Sequence, residues 1–189
     1  MKTIKVLFLA SEADPLVKVG GLGDVAGSLP PALLQLSADK TGGLTVDVRT
    51  VIPFHAAVHK KVPDAEFLFA FDVPAVDGPL QAQAFRTTAN GVTVYLIAGE
   101  PFGPDAPVYS PEAAVGGQAY IFFSMAVLEF IKKLGWKPDI LHANDWHTAI
   151  AVYALKTVYA ADPFLKGTRS VLGVHNLPFM GAGGEAAFE

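Results

Sequence analysis

The sequence has no cysteine among its 189 residues, which removes disulfide scaffolds, thiolate catalysis and cysteine-based zinc sites in one step. Such a chain is compatible with a reducing compartment, and the expected location is the cytoplasm. Arginine is scarce as well: Arg49, Arg86 and Arg169 stand far apart, and 14 Lys+Arg against 18 Asp+Glu leave a formal charge of −4. Duplex binding needs a positive surface that releases counterions, so no nucleic-acid partner is expected. The most apolar long segment, residues 119–131, is interrupted by Ser124 and Glu129. It falls short of the roughly 20 residues of a bilayer span and reads as a buried helix, so no membrane association is expected. The apolar stretch 4–10 runs straight into Ser11-Glu12-Ala13-Asp14 instead of small cleavage residues, which makes it a first strand and not a secretory signal. Glycine and proline follow no fixed period, which excludes collagen and repeat arrays.

What is present suits one domain or part of one. Hydrophobic residues make up 51% of the chain and charged residues 17%, enough apolar surface to offset the entropy of ordering. Residues 4–10 are almost continuously apolar, the pattern of a central strand covered on both faces of a parallel sheet. A helical stretch over 24–36 carries Val25, Leu29, Leu33 and Leu36 at helical spacing and is interrupted by Pro30-Pro31, so it is kinked or begins late. Residues 44–52 read as a second strand. Alternation then shortens to two over 67–71, 80–87 and 92–97, the last two joined by Asn90-Gly91, a strong hairpin signal. This region is expected to be a β-meander inserted in the fold. A helix is expected over 115–134, a short strand over 139–142, a helix N-capped by Asp145 with Trp146, Ile150, Tyr153, Ala154 and Val158 on one face, and a strand over 169–174. The order is that of a Rossmann-like, doubly wound α/β fold with a mostly parallel sheet, in which ligands sit beyond the carboxyl ends of the strands.

Three segments follow predicted strands. The first is Lys18-Val19-Gly20-Gly21-Leu22-Gly23-Asp24-Val25. Glycine backbone N–H groups, a helix N-terminus and a nearby lysine suit a phosphate; a glycine-rich turn with a solvated lysine fits the local pattern equally. The spacing Gly21-x-Gly23-x-x-x-Gly27, about a dozen residues past the strand, is not the dinucleotide fingerprint, and no G-K-[ST] makes a P-loop. The second segment is His142-Ala143-Asn144-Asp145-Trp146-His147, offering a carboxylate, an imidazole and an indole at the rim. Its histidines are five apart, not the four that place a pair on one helix face, so no metal site is assigned. A capping aspartate with a packing tryptophan is the competing reading. The third is His175-Asn176-Leu177-Pro178-Phe179-Met180-Gly181, where a histidine at a strand end can donate or accept a hydrogen bond near neutral pH. His55 and His59 follow Pro53 outside any convincing helix and read as solvated loop residues. Ser11 and Ser28 lack a nucleophile elbow.

Taken together, Ser11-Glu12, the Lys18 to Val25 segment, Asn144-Asp145-Trp146-His147-Thr148-Ala149 and His175-Asn176-Leu177 resemble the N-terminal catalytic domain of bacterial glycogen synthases and plant starch synthases. The resemblance implies the N-terminal half of a GT-B fold, two Rossmann-like domains facing across a cleft. It implies transfer of glucose from ADP-glucose to the non-reducing end of an α-1,4-glucan, with retention and with neither metal nor cofactor. By the same resemblance Lys18 contacts the donor near its phosphates, Gly20, Gly21, Leu22 and Gly23 lie against the diphosphate, and Asp24 fixes that loop. His175 bonds the donor glucose and sets its carbonyl near the anomeric carbon, Asn176 assists, and Asp145, Trp146 and His147 line the acceptor side.

The sequence departs from the family pattern in three places. Val19 replaces a threonine. Gly116-Gly117 followed by Tyr120 stands where an Asp-Asn pair and an arginine are usual. Glu189 comes before the N-terminal domain would be complete, so the C-terminal nucleotide-binding domain is expected as a partner in cis or trans and the polypeptide alone is expected to be inactive. The competing readings are a non-catalytic sugar- or nucleotide-binding module derived from such a transferase, and another GT-B transferase such as sucrose synthase.

Overall fold

The computed structural model describes residues 2–176. Along them run β1 (Thr3–Leu9), α1 (Gly21–Leu34), β2 (Thr45–Pro53), α2 (Ala56–Lys61), β3 (Glu66–Val73), β4 (Leu80–Ala89), β5 (Val92–Gly99), α3 (Ala113–Leu134), β6 (Ile140–Asn144), α4 (Trp146–Lys156) and β7 (Arg169–Gly173). They form one seven-stranded sheet in the order β3-β4-β5-β2-β1-β6-β7. β1 is central, as its continuous apolarity requires: it pairs in parallel with β2 and β6, and Leu7, Phe8 and Leu9 are fully buried. Alternate residues serve opposite faces. Leu7 and Leu9 pack with the α3 and α4 side, while Val6 and Phe8 pack with Ala26 of α1 and Val58 of α2. α3 has the length and apolarity of a membrane span, but 67% of its apolar window is buried against the sheet and α4, so it serves as a core helix.

The expected β-meander is present. β3, β4 and β5 pair antiparallel, yet β5 also pairs in parallel with β2, so the three strands extend the main sheet. Alternation revealed the hairpin, but a strand's second neighbour is set by tertiary packing. α1 begins at Gly21, three residues earlier than expected, and runs through Pro30 and Pro31 without ending. Pro31 cannot donate to the Gly27 carbonyl; the Asn90 side-chain amide, from the tip of the β4–β5 turn, donates to that oxygen at 3.0 Å instead. The buried stripe of α4 is rotated from the expected one: His147, Thr148, Ala151, Ala154 and Leu155 face inward, while Tyr153 is 64% and Val158 66% exposed. Thr148, Ala151 and Ala154 are small enough for α4 to pack on α3, a face that the pattern of large apolar residues does not mark. His55 is also corrected. It is fully buried at the N-cap position of α2, with its Nε2 3.0 Å from the Ser11 carbonyl.

Gly27 marks the closest approach of α1 to the preceding loop. A Cβ there would sit 2.4 Å from the Asp14 carbonyl oxygen, a backbone atom that cannot swing aside. Gly27→Ala is expected to destabilise the fold by about 2 kcal/mol through overpacking, read as a lowered urea midpoint; an unchanged midpoint would contradict this close approach.

Candidate active site

β1 lies where the strand order reverses, and ligand clefts in open α/β sheets form at that point. Ala10, Ser11 and Glu12 continue β1 past its carboxyl end. Glu12 is 2% exposed, and its carboxylate accepts hydrogen bonds from the Val19 N–H, from the Gly20 N–H at 3.0 Å and from the Tyr109 hydroxyl at 2.9 Å. The Tyr109 oxygen is also 3.0 Å from Ser11 Oγ. Burial pushes the Tyr109 hydroxyl well above its ordinary range, so it remains a neutral donor. The glycine loop is thereby tied to the core by an internal anion. Gly20 turns its N–H inward to Glu12, while Gly21 and Leu22 open α1, where first-turn N–H groups have no intrahelical acceptor. Sequence reading quoted Glu12 in a motif without giving it a role, and it missed Tyr109, whose tie to Glu12 spans 97 positions.

Lys18, Gly23 and Asp24 stand at the edge of this loop. The Lys18 ammonium donates to Asp24 Oδ1 at 2.6 Å, with both side chains about half exposed. That hydrogen bond holds the lysine above its ordinary value, so the group stays cationic. The lysine stem explains Gly23: a Cβ there would lie 3.0 Å from Lys18 Cγ and 3.1 Å from Glu12 Oε2.

After β6 the chain turns sharply at Asp145, which adopts φ 56° and ψ −177°, a backbone region that side-chain-bearing residues occupy only under strain. Asp145 occupies the N-cap position of α4, but its side chain makes no cap, which corrects the sequence expectation. With that backbone its Oδ1 reaches across to the His175 N–H at 2.7 Å, and its own N–H donates to the Gly173 carbonyl at 2.8 Å. The strand ends of β6 and β7 are thus clamped together. Thr148 completes the turn instead, receiving the Asn144 N–H on its hydroxyl at 2.6 Å.

Trp146 and His147 sit in an aromatic box. The His147 ring lies 4.0 Å from Trp146, 4.6 Å from Tyr120 and 4.9 Å from Tyr109, centroid to centroid. Burial lowers His147 to about 4, so the ring is neutral, and its buried Nδ1 has no partner among the described residues. Tyr120, which stands near the unusual Gly116-Gly117 pair, donates to the Val108 carbonyl at 2.8 Å and so walls the box instead of supplying a charge.

The His175 ring Nε2 is 2.9 Å from Asn144 Oδ1, and His175 and Asn176 are both exposed. Leu177, Pro178, Phe179, Met180 and Gly181 of the same segment lie outside the described residues. These loops border one hollow of about 800 Å³, lined by Glu12, by Val19 to Leu22 and Val25 of the first segment, and by Tyr109, Asp145, Trp146, His147, His175 and Asn176. The three segments singled out in sequence therefore meet at one rim. Among the described residues no group of three His, Asp or Glu side chains is arranged to hold a metal.

The profile of the starch synthase catalytic domain matches residues 5–189. The chain belongs to the starch synthase catalytic domain family. Among curated relatives in this family, the glycogen synthase of Vibrio parahaemolyticus is 36% identical over 181 residues, covering 94% of this chain and 35% of that protein. The glycogen synthase of Clostridium perfringens is also 36% identical over 181 residues, covering 95% of this chain and 36% of its own length. The chain thus spans about a third of the length of the curated relatives it matches. The catalytic domain of starch synthase IV from Arabidopsis thaliana, solved bound to ADP and acarbose, superposes with a TM-score of 0.69 at 25% identity, over 96% of this chain and 35% of that one. The α/β fold expected from sequence therefore matches about a third of a GT-B starch synthase catalytic domain.

Proposed function

We propose that this chain forms the N-terminal wall of the cleft of a retaining glucosyltransferase that moves glucose from ADP-glucose to the non-reducing end of an α-1,4-glucan. The observation that carries this reading is the meeting of the glycine loop, the Asp145 turn and the His175 turn on one hollow. Family membership supports the reaction class, and the ADP and acarbose bound to the Arabidopsis relative support a nucleotide-sugar donor and a glucan acceptor.

Breaking the bond from the anomeric carbon to the diphosphate leaves negative charge on the departing group and positive charge on the sugar. On this reading the Gly21 and Leu22 N–H groups and the Lys18 ammonium meet the diphosphate, as preorganised donors at the positive end of α1. Gly23 lets the lysine stem lie flat across the loop, and Asp24 holds that stem in reach. His175, its N–H fastened to Asp145, sets its carbonyl toward the developing positive charge and its ring toward the sugar, with Asn176 beside it. The neutral His147, with its Nδ1 unpartnered among the described residues, and the Trp146 indole suit a sugar hydroxyl and a sugar face on the acceptor side. Asp145 acts there chiefly by fixing the turn. The proposal includes a second wall, supplied in cis or trans by the part of the relatives this chain does not span, and a cytoplasmic location. A single wall cannot exclude water or enclose a diphosphate, so the chain by itself is expected to bind donor without transferring glucose.

Calorimetric or NMR titration of ADP-glucose tests this. Wild type is expected to bind, and Lys18→Ala to bind at least about tenfold more weakly through loss of a charge-assisted contact. Equal binding by both removes the donor role of Lys18. Transfer to glycogen by the purified chain would refute the need for the second wall.

A further inference from the structure

Asn144 ends β6 fully buried beneath the rim, and nothing in the reaction outlined above uses it. Its amide has only one tenable orientation. Nδ2 faces two backbone carbonyls, Leu9 at 2.8 Å and His142 at 3.4 Å. Carbonyls accept and never donate, so the NH2 end must point at them, and a flipped amide would set oxygen against oxygen. Oδ1 is then committed to the other side, where His175 Nε2 lies 2.9 Å away. An amide oxygen only accepts, so Nε2 must carry the proton. In the neutral ring this leaves Nδ1 as a lone-pair acceptor.

We propose that Asn144 is a positioning residue that transmits the orientation of the central strand to His175, holding its ring as the Nε2–H tautomer with Nδ1 free to accept. A ring so held offers a ligand an acceptor, which suits a donating sugar hydroxyl and not a phosphate oxygen. This last clause rests on the glucosyl-transfer reading; the tautomer does not. Gly173 belongs to the same device. A Cβ at that position would lie 3.0 Å from His175 Nε2 and 3.1 Å from Asn144 Oδ1, beside the hydrogen bond and tighter than ordinary contact to both atoms, so that one of them must shift.

The test is nitrogen and proton NMR of the histidine rings in the whole chain at neutral pH, without ligand. Wild type is expected to show His175 as the Nε2–H tautomer, with its Hε2 proton protected enough from solvent exchange to be seen directly. Asn144→Leu and Gly173→Ala, checked for intact fold by their amide spectra, are expected to lose that proton signal. A wild-type ring protonated on Nδ1, or a protected Hε2 that survives in a folded Asn144→Leu or Gly173→Ala variant, overturns the proposal. If Asn144→Leu fails to fold, the wild-type spectrum and Gly173→Ala decide it. In a parallel titration both variants are expected to weaken ADP-glucose about tenfold, the scale of one hydrogen bond, while leaving ADP unchanged. Equal losses for ADP and ADP-glucose would overturn the sugar-facing role. Failure of wild type to bind ADP-glucose would sink the glucosyl-transfer reading while leaving the tautomer result standing.

Discussion

Glu12→Ala is expected to destabilise the chain by on the order of 3 kcal/mol and to abolish ADP-glucose binding, because three donors lose one buried acceptor together. The Val19 and Gly20 N–H groups and the Tyr109 hydroxyl all end on this carboxylate, and an unsatisfied buried donor costs roughly 1–3 kcal/mol. The real figure falls below the full sum because part of the loop reaches water once released. Freed from its anchor, the loop no longer holds Gly21 and Leu22 against the hollow, so binding falls further than stability alone accounts for. Glu12→Gln separates hydrogen bonding from charge. Its amide oxygen still accepts from the loop, and its NH2 meets a tyrosine hydroxyl that can turn to accept. Glutamine is therefore expected to recover most of the stability. A urea midpoint for the alanine variant equal to wild type would show that the loop does not depend on this anchor.

Stability is expected to fall steeply on mild acidification, from just below neutrality to about pH 4. Burial lowers both His55 and His147 from an ordinary 6.5 to about 4, partly opposed for His55 by the Ser11 carbonyl it bonds. The sign follows from proton counting. Between these values the unfolded chain binds protons that the folded chain refuses, so acid favours unfolding. The stabilisation is complete above about 6.5, is lost as pH falls toward about 4, and does not change further below that. Each ring contributes at most roughly 3 kcal/mol to the loss. Denaturation at a series of pH values reads it, and His55→Gln is expected to flatten the dependence by about one proton. A melting temperature that stays constant from about pH 7 to pH 5 would mean that the rings are not held neutral by burial.

Much of the site was legible because its parts are local in sequence. A continuous apolar run identified β1, the Asn90-Gly91 pair identified a hairpin, and three polar segments after strands marked the rim. His55 was misread because its burial comes from residues it meets only in space: the Ser11 carbonyl 44 positions back and the Phe102 ring, 5.4 Å away centroid to centroid. Asp145 was misread for a related reason. A Ser, Thr, Asp or Asn before a helix normally caps it, but at φ 56° the side chain finds the His175 N–H 30 residues away instead. Pro30 and Pro31 looked like a helix break, and α1 survives them because Asn90, 63 positions away from Gly27, supplies one donor the helix lacks.

By itself, then, the sequence determined the parallel α/β architecture, the centrality of β1 and the segments that border the hollow, since side-chain periodicity and short motifs act over a few residues. Tertiary structure alone decided which groups those segments spend on one another. Glu12 takes the N–H of Gly20, Asp145 takes that of His175, and Asn144 settles which ring nitrogen of His175 is protonated. The first is made by folding the glycine loop back over the end of β1, and the other two by placing the ends of β6 and β7 side by side. A buried polar group bonds whatever partner the packed fold brings within about 3 Å, and no pattern along the chain records that distance.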